Sequence, residues 1–268
     1  VARQAASTCG KERSDMLALE VALLSDRGGR KYNEDACGHW HSRRHLCCVL
    51  ADGAGGHGGG DIASRLAVQE LIGRFSQQPS ERATELDQLL RVTNDVLISQ
   101  RVPGTPKQDM HSTVVCLILD FVGHRAHWAH AGDSRMYWFR KGKVRDRTRD
   151  HSLVQGLVDN GVLTPEQVRN HPKRSELRSA LGIAADLLEV SAGDGSDEVQ
   201  AGDVFLLCTD GLWEYLDDDV LERTLAAASN PGAWIGELGA EVRRAASHKA
   251  SHDNFSAVTV WTRPAPEL

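Results

Sequence analysis

The sequence has no C-x-x-C pair: its cysteines, Cys9, Cys37, Cys47, Cys48, Cys116 and Cys208, fit neither a thioredoxin-like motif nor a zinc ribbon. Four of them lie inside apolar, strand-like runs, so reduced core thiols in a cytoplasmic protein are expected. No apolar stretch approaches the roughly 18 residues of a membrane span, and residues 1–16 carry no apolar h-region, so neither a membrane nor a secretory route is expected. The chain opens on Val1 rather than Met, from which a trimmed or internal start is expected. There is no internal repeat and no low-complexity tract. A basic face is also missing. With 31 Lys and Arg against 37 Asp and Glu, the net charge is −6, and stretches such as Arg145 to Arg149 are broken by acids, which excludes a nucleic-acid footprint. No interface signal stands out, so a monomer is expected.

What is present suits a single domain: 268 residues, 41% of them hydrophobic, can bury one large core. Short apolar runs with alternating or β-branched character predict strands at 17–24, 36–40, 46–50, 114–121, 126–131, 136–139, 204–208 and 257–261. Helical spacing predicts helices over 62–75 and 84–98, shorter pieces within 150–181 starting at Leu163-Thr-Pro165, and two more over 217–250. Val122-Gly123 and Lys141-Gly142 read as hairpin turns, and residues 101–109 as an exposed loop. Strands in hairpin-like succession argue against a doubly wound parallel sheet and for antiparallel sheets covered by helices.

The stretch ADGAGGHGGGD, residues 51–61, invites a nucleotide reading that fails. No Lys and Ser or Thr follow Gly60, as a P-loop needs, and the third glycine and acidic ribose partner of a dinucleotide site are missing. What remains is an Asp beside a Gly at the end of an apolar run. That device recurs at Asp133, Asp210 and Asp253, with Asn33-Glu34-Asp35 as a further acidic cluster. One such Asp is a turn former. Several, far apart in sequence, point to carboxylates that converge, and converging carboxylates need a cation between them. All-oxygen ligation suits Mg²⁺ or Mn²⁺ rather than zinc, which makes a two-metal hydrolytic site the sharp hypothesis. Gly53 would give an unhindered backbone beside a bridging Asp52, and Arg30 is the candidate to hold phosphate.

Six ordered stretches, SDRGGRKYNED, ADGAGGHGGG, AGDSRMYWF, RDHSLVQGLVDNGVLTPEQVRNHPKRSELRSALG, LLCTDGLWEYL and SHDNFSAVTV, resemble the motif series of bacterial type 2C protein phosphatases, the metal-dependent PPM family. The match runs from about Leu19 to Trp261. The resemblance implies an α+β fold, a four-layer α-β-β-α sandwich of two facing, mainly antiparallel sheets flanked by helices, with the phosphatase domain over 17–263 between polar tails at 1–16 and 264–268. It implies hydrolysis of phosphoserine and phosphothreonine in proteins, opposing a Ser/Thr kinase, so that the partners are phosphoproteins including such a kinase or its targets. By position, Asp52 would bridge two Mn²⁺ or Mg²⁺ ions, Gly53 would lend its carbonyl, Asp210 and Asp253 would bind one ion and Asp35 the other. Asp133 with Asp210 would hold a third, weaker ion. Residues 150–181 resemble the flap beside the site. Water between the cations would attack phosphorus in line while Arg30 offsets charge on the phosphoryl oxygens.

The chain departs from the pattern in places. Ala54 stands where animal members carry a His that serves as general acid; His57, three residues on, is the catalytic candidate here, with a third-site water as the other source of the proton. Glu214 stands where many relatives have Asp, and His111-Ser-Thr113 replaces a Gly-led motif. Two rivals remain. His124, His127 and His130 could suggest a metal module, but on one strand the middle residue faces away from the other two. A catalytically weak or inactive relative that binds phosphoproteins as a regulatory module is the alternative function; it would be expected to lose an Asp, and Asp35, Asp52, Asp210 and Asp253 are all present.

Overall fold

The structure, a computed structural model, describes residues 17–54, 58–80, 82–169, 171–194, 198–249 and 251–265. Its strands form two antiparallel sheets. The first contains β1 (Leu17–Asp26), β7 (Arg135–Arg140), β8 (Lys143–Arg147), β10 (Val204–Cys208) and β11 (Phe255–Pro264) in the order β1-β11-β10-β7-β8. The second contains β2 (Asp35–His41), β3 (His45–Ala54), β5 (Val114–Asp120), β6 (Arg125–Ala131) and β9 (Ser191–Asp194) in the order β2-β3-β5-β6-β9, with the short β4 (His111–Ser112) paired to the end of β3.

β10, most of β5 and residues 46–51 of β3 are apolar because both of their faces are covered. On β3, Leu46, Cys48 and Leu50 point at the other sheet and meet Met136, Trp138, Phe205, Leu207, Val258 and Val260. Cys47, Val49 and Ala51 point the opposite way, as the period of two requires, and meet Ala63, Ala67, Leu71 and Phe75 of α1 (Gly60–Gln77) and Leu86, Leu90 and Leu97 of α2 (Ala83–Ser99). The outer face of the first sheet is covered likewise. Tyr137, Phe139, Leu206 and Cys208 pack on Leu212 and Trp213 of α5 (Asp210–Trp213), Leu221 and Leu225 of α6 (Asp218–Ala227), and Trp234 and Leu238 of α7 (Pro231–Ala246). The expected four-layer α-β-β-α sandwich is therefore the observed fold.

The segment between β8 and β9 carries α3 (Leu153–Asp159) and α4 (Pro165–Val168), the latter opened by a Thr164 capping box with Pro165 at its first turn. The Lys141-Gly142 turn joins β7 to β8 with φ of 53° and 75°, the left-handed pair that a tight hairpin demands. Cys37, Cys47, Cys48, Cys116 and Cys208 are free thiols. Among the described residues, no helix is long and apolar enough to cross a membrane.

Candidate metal centre

Five strand ends meet at one end of the sandwich: the start of β2, the ends of β3, β6 and β10, and the start of β11. Each brings a carboxylate. Asp35 lies directly opposite Asp52 in the β2–β3 ladder. Cys208 is flanked by Arg135 on one side and Ala257 on the other, which sets Asp210, Asp133 and Asp253 side by side across the end of the first sheet. Burial is graded across the centre: Asp133 is 4% exposed and Asp35 9%, Asp52 and Asp210 are half-buried with Asp210 Oδ1 cut off from solvent, and Asp253 stays half-exposed at the rim.

Hydroxyl and amide groups hold this end together, and none was given that role from the sequence. Thr209 Oγ1 donates to Asp35 Oδ2 at 3.1 Å and accepts from the Ser256 N–H at 2.9 Å, tying the two sheets. The Asp52 N–H donates to Thr113 Oγ1 at 3.0 Å and Ser112 Oγ donates to the Asp52 carbonyl at 3.0 Å. Thr113 Oγ1 also shares a 2.7 Å hydrogen bond with Ser134 Oγ, so the departure at 111–113 supplies two hydroxyls that brace Asp52 against the Asp133 turn. Asn254 is a further clamp: its Oδ1 accepts from the Glu34 N–H, and its Nδ2 donates to the Arg27 and Tyr32 carbonyls.

Electrostatically the centre is crowded with like charge. Burial, then Glu214 and Asp253, pushes Asp210 up to about 7. Burial, then Asp210 and Asp253 against hydrogen bonds from Ser256 and Thr209, raises Asp35 to about 7. Asp52 is raised by burial and by Asp210, Asp35, Asp133 and Asp253, and Asp133 by burial, Asp210 and Asp150. Asp35 Oδ1 and Asp210 Oδ1 are buried with no hydrogen-bond partner. Orphaned carboxylate oxygens amid like charges are the donor set that hard divalent cations satisfy, so these residues fit Mn²⁺ or Mg²⁺. Among the described residues no three His, Cys, Asp or Glu side chains already close on one point as a cage.

Gly53 is required by close approach. A Cβ there would lie 2.0 Å from the Gly60 carbonyl oxygen and 2.8 Å from that of Glu34, so the start of α1 can press against the end of β3 only over a glycine. Residues 55–57, and with them His57, lie outside the described residues. Arg30 reaches the centre, where its Nη2 donates to Asp253 Oδ2 at 2.7 Å. Glu214 does not stand free for an ion: Arg174, from the segment after α4, donates to its two oxygens from Nε and Nη2, at 2.5 and 3.1 Å. His127 and His130 sit on β6, with His130 stacked on His151 at 4.6 Å, as strand and core residues.

The model of the family described as Protein phosphatase 2C matches residues 25–234. The chain belongs to that family. Among protein phosphatase 2C relatives, the serine/threonine protein phosphatase PstP of Mycobacterium tuberculosis is 36% identical over 211 residues, 78% of this chain and 39% of that protein. The chain thus spans well under half of PstP. The protein phosphatase PhpP of Streptococcus pneumoniae is 32% identical over 248 residues, 90% of this chain and 97% of PhpP. The catalytic domain of PstP in complex with two manganese ions superposes with a TM-score of 0.75 at 30% identity, over 92% of this chain and 99% of that one.

The protein phosphatase 2C centre has a pH signature of its own. Asp35 and Asp210 bind protons more tightly in the folded state than in the unfolded chain, so the metal-free protein loses stability as pH rises from the ordinary carboxylate range to about 7. The melting temperature in chelator is expected to fall between pH 5 and pH 7.5, and Mn²⁺ to restore it at the upper end. Differential scanning calorimetry checks both; a metal-free melting temperature that rises over this window would remove the crowded-carboxylate account.

Proposed function

We propose that this chain is a metal-dependent protein phosphatase that hydrolyses phosphoserine and phosphothreonine in proteins, with its phosphatase domain over 17–263 and residues 150–181 as a flap. The observation that carries the reading is the set of five carboxylates gathered at one end of the sandwich, with orphaned buried oxygens on Asp35 and Asp210. Asp52 would bridge two ions, Gly53 would add its carbonyl, Asp35, Asp210 and Asp253 would complete the pair, and Asp133 with Asp210 would take a third. When bound, Mn²⁺ or Mg²⁺ supplies a water of lowered pKa and neutralises charge on the phosphoryl oxygens.

The chain's own groups do the remaining work. Arg30, more than half exposed at the rim, presents a planar fork that suits two phosphate oxygens. Thr209, Ser112, Thr113 and Asn254 keep the carboxylates pre-set, which limits reorganisation during the reaction. Ala54 provides no acid, so a proton for the departing alkoxide comes from water or from His57. Partners in this reading are phosphoproteins, including a Ser/Thr kinase or its targets, met by a cytoplasmic monomer.

Release of phosphate from a phosphothreonine peptide is expected with Mn²⁺ or Mg²⁺ and not with chelator. A folded, metal-loaded protein that releases none with either ion would leave the phosphoprotein-binding alternative as the better account.

A further inference from the structure

Residues 27–32, Arg-Gly-Gly-Arg-Lys-Tyr, link β1 to the acidic turn before β2 and lie flat against the centre. The Gly28 N–H donates to Asp26 Oδ1 at 2.9 Å and the Gly29 N–H to the His252 carbonyl at 3.1 Å. Asn254 Nδ2 grips the Arg27 and Tyr32 carbonyls at 2.8 and 2.9 Å. The approach is close enough that a Cβ on Gly28, whose φ is +57°, would stand 2.1 Å from the Asp253 carbonyl oxygen. The loop's backbone is thus fixed against Asp253, while all its side chains project at the surface.

Those side chains carry three cations, one aromatic ring and no acid. Asp26, the nearest acid before the loop, is turned to the Gly28 N–H and to Arg243. Arg30 is occupied by Asp253. Arg27 and Lys31 form no ion pair with another described residue, and the Lys31 Nζ stands 5.0 Å over the ring of Tyr32, itself 64% exposed. The cations over 149–178 differ: Arg149 pairs with Asp159, Lys173 with Glu176, Arg174 with Glu214 and Arg178 with Glu189, while the half-buried Arg169 is turned to the Leu216 carbonyl. Uncompensated positive charge beside the centre is therefore concentrated on one rim, in a protein that is acidic as a whole.

We infer that the 27–32 loop is a docking rim for acidic side chains flanking the phosphorylated residue of a substrate polypeptide, with Arg27 and Lys31 reading the acids and Tyr32 packing along the peptide. The inference rests on the phosphatase reading. It makes acidic phosphoproteins the preferred substrate class and leaves the chemical step unchanged.

The test compares phosphothreonine peptides flanked by Glu and Asp with the same peptides flanked by Ala or Lys, on the Mn²⁺-loaded full chain and on the Arg27→Glu/Lys31→Glu variant. Several exposed charge pairs acting together give an expected preference of about fivefold to twentyfold in KM for acidic flanks at low salt. The preference should shrink in about 1 M salt, where screening is nearly complete. The variant is expected to invert it, with kcat and the hydrolysis of p-nitrophenyl phosphate unchanged. Fluorescence anisotropy of the same peptides on the Asp52→Asn protein reads docking without turnover, so a missing reaction and a missing docking rim give different results. Equal KM and equal binding for acidic and basic flanks, or a preference that survives the double charge reversal, would overturn the inference.

Discussion

Asp52→Asn is expected to abolish metal-dependent phosphate release, by about three orders of magnitude or more, and at the same time to raise the melting temperature of the metal-free protein. The two effects have one cause. Asp52 is half-buried, and its carboxyl is raised by desolvation and then by four other carboxylates, Asp210 foremost. An amide of the same shape removes one of the crowded charges and can donate to Asp210, so the apo centre relaxes. Its backbone is held by Thr113 and Ser112 through main-chain atoms, which the substitution leaves alone. The neutral amide cannot serve as a bridging anionic ligand, and each 1.36 kcal/mol of lost transition-state stabilisation is a tenfold loss of rate. Asp210→Asn is expected to behave the same way. Initial rates with Mn²⁺, calorimetric counting of Mn²⁺ sites, and melting in chelator at pH 7.5 check the three parts. Loss of activity with a lowered apo melting temperature would mean that Asp52 is structural, and retained activity would remove it from the centre.

Why the carboxylates could be found in the sequence is clear from their placement. Each of Asp52, Asp133 and Asp210 follows an apolar run, unbroken before Asp52 and Asp210 because β3 and β10 are covered on both faces, and interrupted by His127 and His130 on β6. The same burial made most strands legible, and α2 was legible from its spaced leucines. β8, with the sequence KVRDR, is an exposed edge strand whose charges hide it, and β9 is four small or polar residues. α5 reads as a turn because its single helical turn opens on Asp-Gly.

In the site, the unread part is the bracing. Thr209 finds Asp35 across 174 positions and Asn254 finds Glu34 across 220, and no local pattern announces either. Arg30 is the phosphate candidate of the sequence, while the contact that holds it is with Asp253, brought in by β11 pairing to β1. Glu214 reads as a weakened ligand position. Its partner Arg174 belongs to a segment whose packing on α5 is set by tertiary contacts alone.

Arg135→Met is expected to cost about 3–5 kcal/mol of stability, the penalty for leaving a buried charge without its partner. Arg135 projects from β7 with its side chain 8% exposed. Its Nε and Nη2 donate to the two oxygens of Asp150 at 2.9 and 2.8 Å, and its Nη1 to Tyr137 Oη at 3.2 Å. The guanidinium lies 3.6 Å over the Trp213 ring, whose Nε1 donates to the Asp133 carbonyl at 2.9 Å. One buried cation thus connects Asp150, at the base of the 150–181 segment, to the backbone of Asp133. For a domain of this size the loss corresponds to a melting temperature lower by roughly 10 °C. The double variant Arg135→Met/Asp150→Leu removes both charges and is expected to recover most of the stability, because replacing a buried pair by apolar groups is close to neutral. Activity should not recover with it. The stacking cation that fixes Trp213 is gone, so the double variant is expected to stay about tenfold below wild type in kcat at saturating Mn²⁺. Chemical denaturation alongside initial rates separates the two outcomes. Full recovery of both would make the pair purely structural, and recovery of stability alone would identify it as the link that holds Asp133 and the base of the flap in register.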